Sequence, residues 1–212
     1  MTRVLVTRAR EQAGELVRLL EEAGYDVTVC PLIEVVPLGD DPIDVSSYDW
    51  VVVTSANGAQ ELRRRMQGSP AHVAAIGRAT AEAYGEVDLI PEIATQEGLL
   101  AELPRPAGRV LFAGAEGARQ LIVQELDADF FPLYRTRELR PPVLPAGDLA
   151  IVASSSAARA LAALQVSIPV ISIGPETSRA AAAAGLTVLA EAVTHDTSGL
   201  LAAVRAVAPA SS

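Results

Sequence analysis

Lysine is absent from this chain: all 17 basic residues are arginine, set against 26 acidic ones for a net charge of −9. A phosphate-binding GxxxxGK[ST] loop therefore cannot exist, nor can the lysine of a receiver domain. The acidic balance argues against nucleic acid or an anionic membrane as partner. It leaves room for a small anionic ligand, because backbone dipoles and a few arginines dominate inside a cleft. Cysteine occurs once, as Cys30, so no intramolecular disulfide forms and the thiol reads as a small buried hydrophobe. The two histidines, His72 and His195, have no other soft ligand a few residues away, so no metal site is expected. No apolar run reaches the roughly 18 to 20 residues of a membrane helix. The N-terminus meets charge again at Arg8, so it has no signal-peptide core and a cytoplasmic location is expected. No GxGxxG follows a strand, "GAEGAR" being too short a match, and there is no GxSxG or HExxH. Aromatics make up 4% of residues, which leaves Val, Leu, Ile and Ala to build the core.

What is present is alternation. Apolar runs at 3–7, 26–30, 50–54, 73–77, 87–90, 109–113, 128–131, 149–153, 170–174 and 187–190 read as strands. Between most of them lie helical patterns, such as the stripe of Leu16, Leu19, Leu20 and Ala23 that ends at Gly24. Strand–helix alternation of this kind predicts parallel sheets covered by helices on both faces. Ten short strands fit two five-stranded sheets better than one.

The chain also repeats itself. "RVLVTRAREQA" at 3 returns as "RVLFAGAEGARQ" at 109, and "DWVVVTSANGAQEL" at 49 returns as "DLAIVASSSAARAL" at 148. "VAAIGRATAEAYG" at 73 returns as "VISIGPETSRAAAAAG" at 170, and "TQEGLLAEL" at 95 as "DTSGLLAAV" at 196. Two proline-bounded pieces, "PLIEVVPL" (31–38) and "PLYRTREL" (132–139), correspond as well and suit exposed strands or linkers. If both run between lobes, lobe A comprises 1–32 and 141–212, lobe B is an insertion at 40–131, and 33–39 and 132–140 are connector strands. A tandem split near residue 105 also fits the pattern; the inserted arrangement gives each lobe five strands and is preferred. The terminal "APASS" is expected to be disordered, and nothing demands more than a monomer.

In doubly wound sheets, ligands bind beyond the carboxyl ends of the strands. There the first-turn N–H groups of the helices lack acceptors and attract anions. Those places are Thr7–Arg10, Ser55–Asn57, Gly77–Thr80, Ser154–Ser156, Gly174–Thr177 and Thr194–Ser198. The candidate ligand-binding residues are Thr7, Arg8, Ser55, Asn57, Gly77, Thr80, Ser154, Ser155, Gly174, Thr177 and Thr197. Ser, Thr and Asn before a helix also serve as plain N-caps, worth about 1 kcal/mol each. A shortage of acid–base groups suits an enzyme that holds a reactive molecule in shape. A non-catalytic two-lobed module for an anionic small molecule is the alternative.

Taken in order, "VLVTRAREQA", "VVVTSANGAQ", "AIGRATAEA", "PLYRTREL", "ISIGPETSRAA" and "TSGLLAAV" resemble the uroporphyrinogen-III synthase family over essentially the whole chain. Ala9 stands where that family has proline, and "THDTSGL" where it has Thr-Pro before Gly-Leu. The resemblance implies two flavodoxin-like parallel-sheet lobes joined by a two-stranded connector. It implies a cyclising lyase of tetrapyrrole and heme biosynthesis that uses no cofactor and no metal. Its substrate, hydroxymethylbilane, loses a terminal hydroxyl and closes through a spiro intermediate that inverts the last pyrrole ring. The resemblance further implies Tyr134 as a proton donor or hydrogen-bonding group at the leaving hydroxyl. Ser55, Thr80, Ser154 and Thr177 would anchor carboxylates, and Arg8 would neutralise a propionate or acetate.

Overall fold

Two five-stranded sheets form from the apolar runs and the proline-bounded pieces, seen here in a computed structural model in which residues 1–208 are described. Most of "APASS" lies outside those residues. The chain enters through β1 (Arg3–Val6), α1 (Arg10–Glu22) and β2 (Asp26–Val29), followed by β3 (Ile33–Pro37). Its middle stretch holds β4 (Ile43–Asp44), β5 (Trp50–Val53), α2 (Ala56–Arg65), β6 (Met66–Gln67), β7 (His72–Ala75), α3 (Arg78–Tyr84) and α4 (Gln96–Glu102). Then come β8 (Val110–Ala115), α5 (Leu121–Leu126) and the long β9 (Asp129–Glu138). The last part is β10 (Leu149–Val152), α6 (Ser155–Ala162), β11 (Val170–Ser172), α7 (Pro175–Ala183), β12 (Val188–Glu191) and α8 (Thr197–Val207). The chain divides into two units, one of residues 1–34 with 136–212 and one of residues 35–135.

The first unit carries the sheet β12-β11-β10-β1-β2, with every neighbour parallel. Numbered along the chain within that unit, the order is 2-1-3-4-5, the flavodoxin-like arrangement. Strand alternation puts Val4 and Val6 on one face, against Leu16 and Leu20 of α1 and Leu200 and Val204 of α8. Leu5 points to the other face, with Ala157 and Leu161 of α6. Cys30 is buried and packs in that second cluster, as its sequence context predicts.

In the second sheet the order is β3-β9-β8-β5-β7, and β9, β8, β5 and β7 are parallel. All four residues of β5 are buried, as a central strand covered on both faces requires. Val51 and Val53 pack against Leu62 of α2, and Trp50 and Val52 against Leu99 and Ile122 on the other side. Replacing four strands by their repeat partners (β11 by β7, β10 by β5, β1 by β8, β2 by β9) gives the order of four strands of the second sheet; the fifth strand differs, β12 lying beside β11 in the first and β3 beside β9 in the second.

Three details differ from the sequence reading. The run at 87–90 is reduced to one bridge, Ala74 to Leu89, because the Asp88 carboxylate takes the Val73 N–H at 2.7 Å and Pro91 stops the strand. The runs at 128–131 and 132–139 fuse into β9, and the register slips opposite Pro132, between Gly114 and Ala115, where proline offers no N–H. Finally, the two connector strands pair as expected but do not stand apart from the lobes: β3 joins the second sheet along the edge of β9. Leu38 N–H donates to the Leu133 carbonyl and Leu139 N–H to that of Leu32, both at 2.9 Å, an antiparallel pattern.

Candidate functional site

In the second unit, β5 ends at Val53 and the chain turns through Thr54 into α2. Ser55 is the N-cap: its hydroxyl accepts the Gly58 N–H at 3.0 Å. The same Oγ lies 2.9 Å from the phenol oxygen of Tyr134 on β9, which is 6% exposed. Asn57 also hydrogen bonds the phenol. Burial pushes the pKa of Tyr134 above its ordinary value, while Ser55 and Asn57 pull it down. Tyr134 is thus a proton-bearing group in a neutral, mostly dehydrated setting. It sits opposite Ala115, where β8 leads into the "GAEGAR" loop, and Glu116 N–H caps its carbonyl at 2.8 Å. On the neighbouring strand, Gly77 caps α3 without a side chain, and Thr80 in the first turn is buried.

The first unit presents the matching set at the carboxyl ends of β1, β10 and β11. Ser154 caps α6 by accepting the Ala157 N–H at 3.1 Å, and Ser155 Oγ donates to the Glu176 carbonyl at 3.3 Å. Gly174 caps α7 without a side chain, so the first turn keeps its donors, and Thr177 is buried within it. Thr7 is fully buried and donates to the Ile151 carbonyl at 2.7 Å, stitching β1 to β10. Arg8 follows it into the turn before α1, whose N-cap, Ala9, has no capping side chain. Burial lowers the pKa of the Arg8 guanidinium, and Glu15 works against that shift. Thr197 opens α8 and donates to Glu15 at 3.1 Å.

Ser55, Asn57 and Tyr134 therefore meet around one phenol. Gly77 and Thr80 lie at the next strand of the same sheet. Thr7, Arg8, Ser154, Ser155, Gly174, Thr177 and Thr197 belong to the first unit. Sequence reasoning missed the His195 ring, which packs on Gly174 so closely that a Cβ there would lie 3.0 Å from it. The equivalent contact at Gly77 is with Ala94. It also missed a hydrogen-bonded chain that runs from buried Ser172 to exposed Glu191, in which the Ser172 and Ser178 hydroxyls meet at 2.6 Å and Ser178 donates to Glu191. Neither has a periodic signature; only the aligned repeat, which sets Ser178 against Ala81, hints at the second. Among the described residues no cluster of His, Cys, Asp and Glu could hold a metal, and no helix is long and apolar enough to cross a membrane.

Residues 14–202, from within α1 to within α8, match the family model described as uroporphyrinogen-III synthase HemD. The chain is 32% identical to the putative uroporphyrinogen-III synthase of Archaeoglobus fulgidus over 210 residues, 87% of this chain and 90% of that protein. It is 27% identical to the putative uroporphyrinogen-III synthase of Methanocaldococcus jannaschii over 150 residues, 64% of this chain and 62% of that protein. Across three of the curated relatives it matches, the chain spans 32% to 62% of their length. The fold is like that of a mutant uroporphyrinogen III synthase from Thermus thermophilus, with a TM-score of 0.62 at 16% identity, covering 97% of this chain and 98% of the other. The family match takes in every strand but β1 and, apart from Thr7 and Arg8, the helix starts that carry the polar residues, and on it the chain belongs to the uroporphyrinogen-III synthase family.

Proposed function

We propose that the protein is a uroporphyrinogen-III synthase, a lyase that cyclises hydroxymethylbilane with inversion of the last pyrrole ring. The observation that carries the reading, beside family membership, is the phenol of Tyr134, buried and bonded to neutral side chains beside the carboxyl ends of β5 and β8. Hydroxymethylbilane bears acetate and propionate arms on every ring. Helix starts with unfilled N–H groups, neutral hydroxyls and Arg8 suit those arms. The reaction itself asks little of a protein once the chain is held. Tyr134 gives its proton to the terminal hydroxyl, the C–O bond breaks and water leaves. The resulting azafulvenium carbon is attacked by the substituted position of the last pyrrole to form the spiro intermediate. That intermediate fragments and recloses with the ring reversed, and the phenolate takes back the proton lost as the pyrrole regains aromaticity. Atoms and electrons balance with loss of one water and no net redox change, so no cofactor enters the scheme. The reading carries with it a cytoplasmic, monomeric enzyme.

Its test is an isomer-resolved assay. Purified protein given hydroxymethylbilane should yield the type III product faster than spontaneous closure yields type I. Type I product alone would overturn the proposal, and tight substrate binding in that case would favour a non-catalytic carrier. Tyr134→Phe should lower kcat about a hundredfold or more, the range for loss of a general acid, with the thermal melt little changed.

A further inference from the structure

The Ser55 hydroxyl has one proton and two lone pairs. Gly58 N–H occupies one lone pair at 3.0 Å. That cap is held rigidly: a Cβ at Gly58 would lie 3.1 Å from Ser55 Oγ, 3.5 Å from the Ala113 carbonyl and 3.6 Å from Gly114 Cα, so α2 starts hard against β8. Tyr134 stands 2.9 Å away, and Asn57 reaches the phenol from the first turn of the same helix. Either hydroxyl can donate in the Ser55–Tyr134 bond; where Ser55 does so alongside Asn57, the phenol oxygen has its acceptor positions filled. Its own O–H is then the one bond left to direct elsewhere.

The repeat supplies an internal control. Ser154 occupies the position of Ser55 in the first unit and makes the same cap, at 3.1 Å to Ala157 N–H. The residue aligned with Tyr134 is Ile33, a buried aliphatic, and the one aligned with Asn57 is Ser156. The cap is common to both units; the bond to a phenol belongs to one. A linear substrate with a leaving group at one end calls for one such device.

We propose that Ser55 is a positioning residue that donates to Tyr134 and so aims the phenol proton outward, instead of anchoring a substrate carboxylate. The inference rests on the proposed synthase activity for its purpose, while the bond it describes can be tested without turnover.

The experiment uses the full chain with ring-labelled tyrosine, the Tyr134 resonance being assigned with Tyr134→Phe. Ser55→Ala should raise the titration midpoint of Tyr134 and lower kcat about tenfold to a hundredfold, the scale of a misdirected reacting group, with KM changed less than about twofold. Ser55→Thr, which keeps the hydroxyl, should restore both. Thr95→Ala removes the equivalent cap of α4 in the same unit, where Thr95 Oγ1 accepts Gly98 N–H at 3.0 Å, and should move neither readout. An unmoved Tyr134 titration in Ser55→Ala would overturn the proposal. So would a raised KM at unchanged kcat, the mark of a carboxylate anchor. Should the parent protein make no type III product, the functional reading falls alone, because the titrations still judge the Ser55–Tyr134 bond.

Discussion

The backbone N–H of Arg3 donates to the carboxylate of Asp148 at 2.8 Å, across 145 residues of chain. The bond has a twin: Arg109 N–H donates to Asp49 at 2.7 Å. Arg3 and Arg109 are repeat partners, as are Asp49 and Asp148, so each half of the chain supplies the arginine for the other half's aspartate. The side chains, by contrast, pair within each half, Arg3 with Asp26 and Arg109 with Asp129. The sheets are accordingly mixed in origin, each taking two strands from one half and the rest from the other.

Cutting the chain at the repeat boundary should therefore destroy both sheets. A fragment of residues 1–105 holds β1 and β2 without β10, and β5 without β8. It should show no cooperative urea transition. A fragment of residues 35–135, which is contiguous and keeps β5, β7, β8 and most of β9 together, should unfold cooperatively. Cooperative unfolding of 1–105 alone would contradict this account.

Two helix starts tolerate glycine only. A Cβ at Gly98 would stand 2.0 Å from the Ile93 carbonyl, and one at Gly199 2.0 Å from the Thr194 carbonyl. Gly98→Ala and Gly199→Ala should each destabilise by about 2–3 kcal/mol in denaturant titrations. Gly14, exposed in α1 with nothing within 4 Å of its added Cβ, should behave oppositely. Gly14→Ala should stabilise by about 0.5–1 kcal/mol through helix propensity.

Arg8 separates binding from stability. Its guanidinium is partly desolvated, which favours the uncharged form, so removing the charge relieves a cost of folding. Arg8→Gln should leave the denaturation midpoint unchanged or higher. It should raise KM for hydroxymethylbilane about tenfold, the effect of losing roughly 1.4 kcal/mol of charge-assisted hydrogen bonding. An unaltered KM would show that no carboxylate reaches it.

Tyrosines set the alkaline limit. Burial is the leading cause of raised pKa values at Tyr48, Tyr84 and Tyr134. Below the ordinary value near 10 both folded and unfolded chains keep these protons, and stability is flat from this source. Above it the unfolded chain ionises first, so stability falls as pH climbs toward the raised folded values, by at most about 1.4 kcal/mol per pH unit for each tyrosine. Urea midpoints from about pH 8 to pH 11 should trace that fall, and Tyr134→Phe should make it shallower. Equal slopes in the two proteins would show that Tyr134 does not contribute.

Local rules made much of this legible. Val51, Val52 and Val53 announce a buried strand, and Ser55 and Ser154 before helical patterns announce caps that the structure contains. The parallel sheets follow from strand–helix alternation, their flavodoxin-like character came from the family resemblance, and the repeat gave their equivalence. What one residue does to another far along the chain was not legible. Ser55 and Tyr134 are 79 residues apart, and nothing in either segment says that the cap reaches a phenol. The failure of 87–90 to become a full strand depended on the Asp88 side chain taking a backbone donor, a choice invisible to periodicity. His195 is equally silent, since its packing on Gly174 is a matter of loop shape.

The exchange of strands between halves bears on how a symmetrical ancestor could become asymmetric. Two identical copies trading segments would carry the same residue at both positions now held by Ile33 and Tyr134. Joined in one polypeptide they are inherited separately, so one copy can carry a hydroxylated ring while its twin carries a plain hydrocarbon. Fusion thereby converts a duplicated scaffold into one that can tell the head of a molecule from its tail.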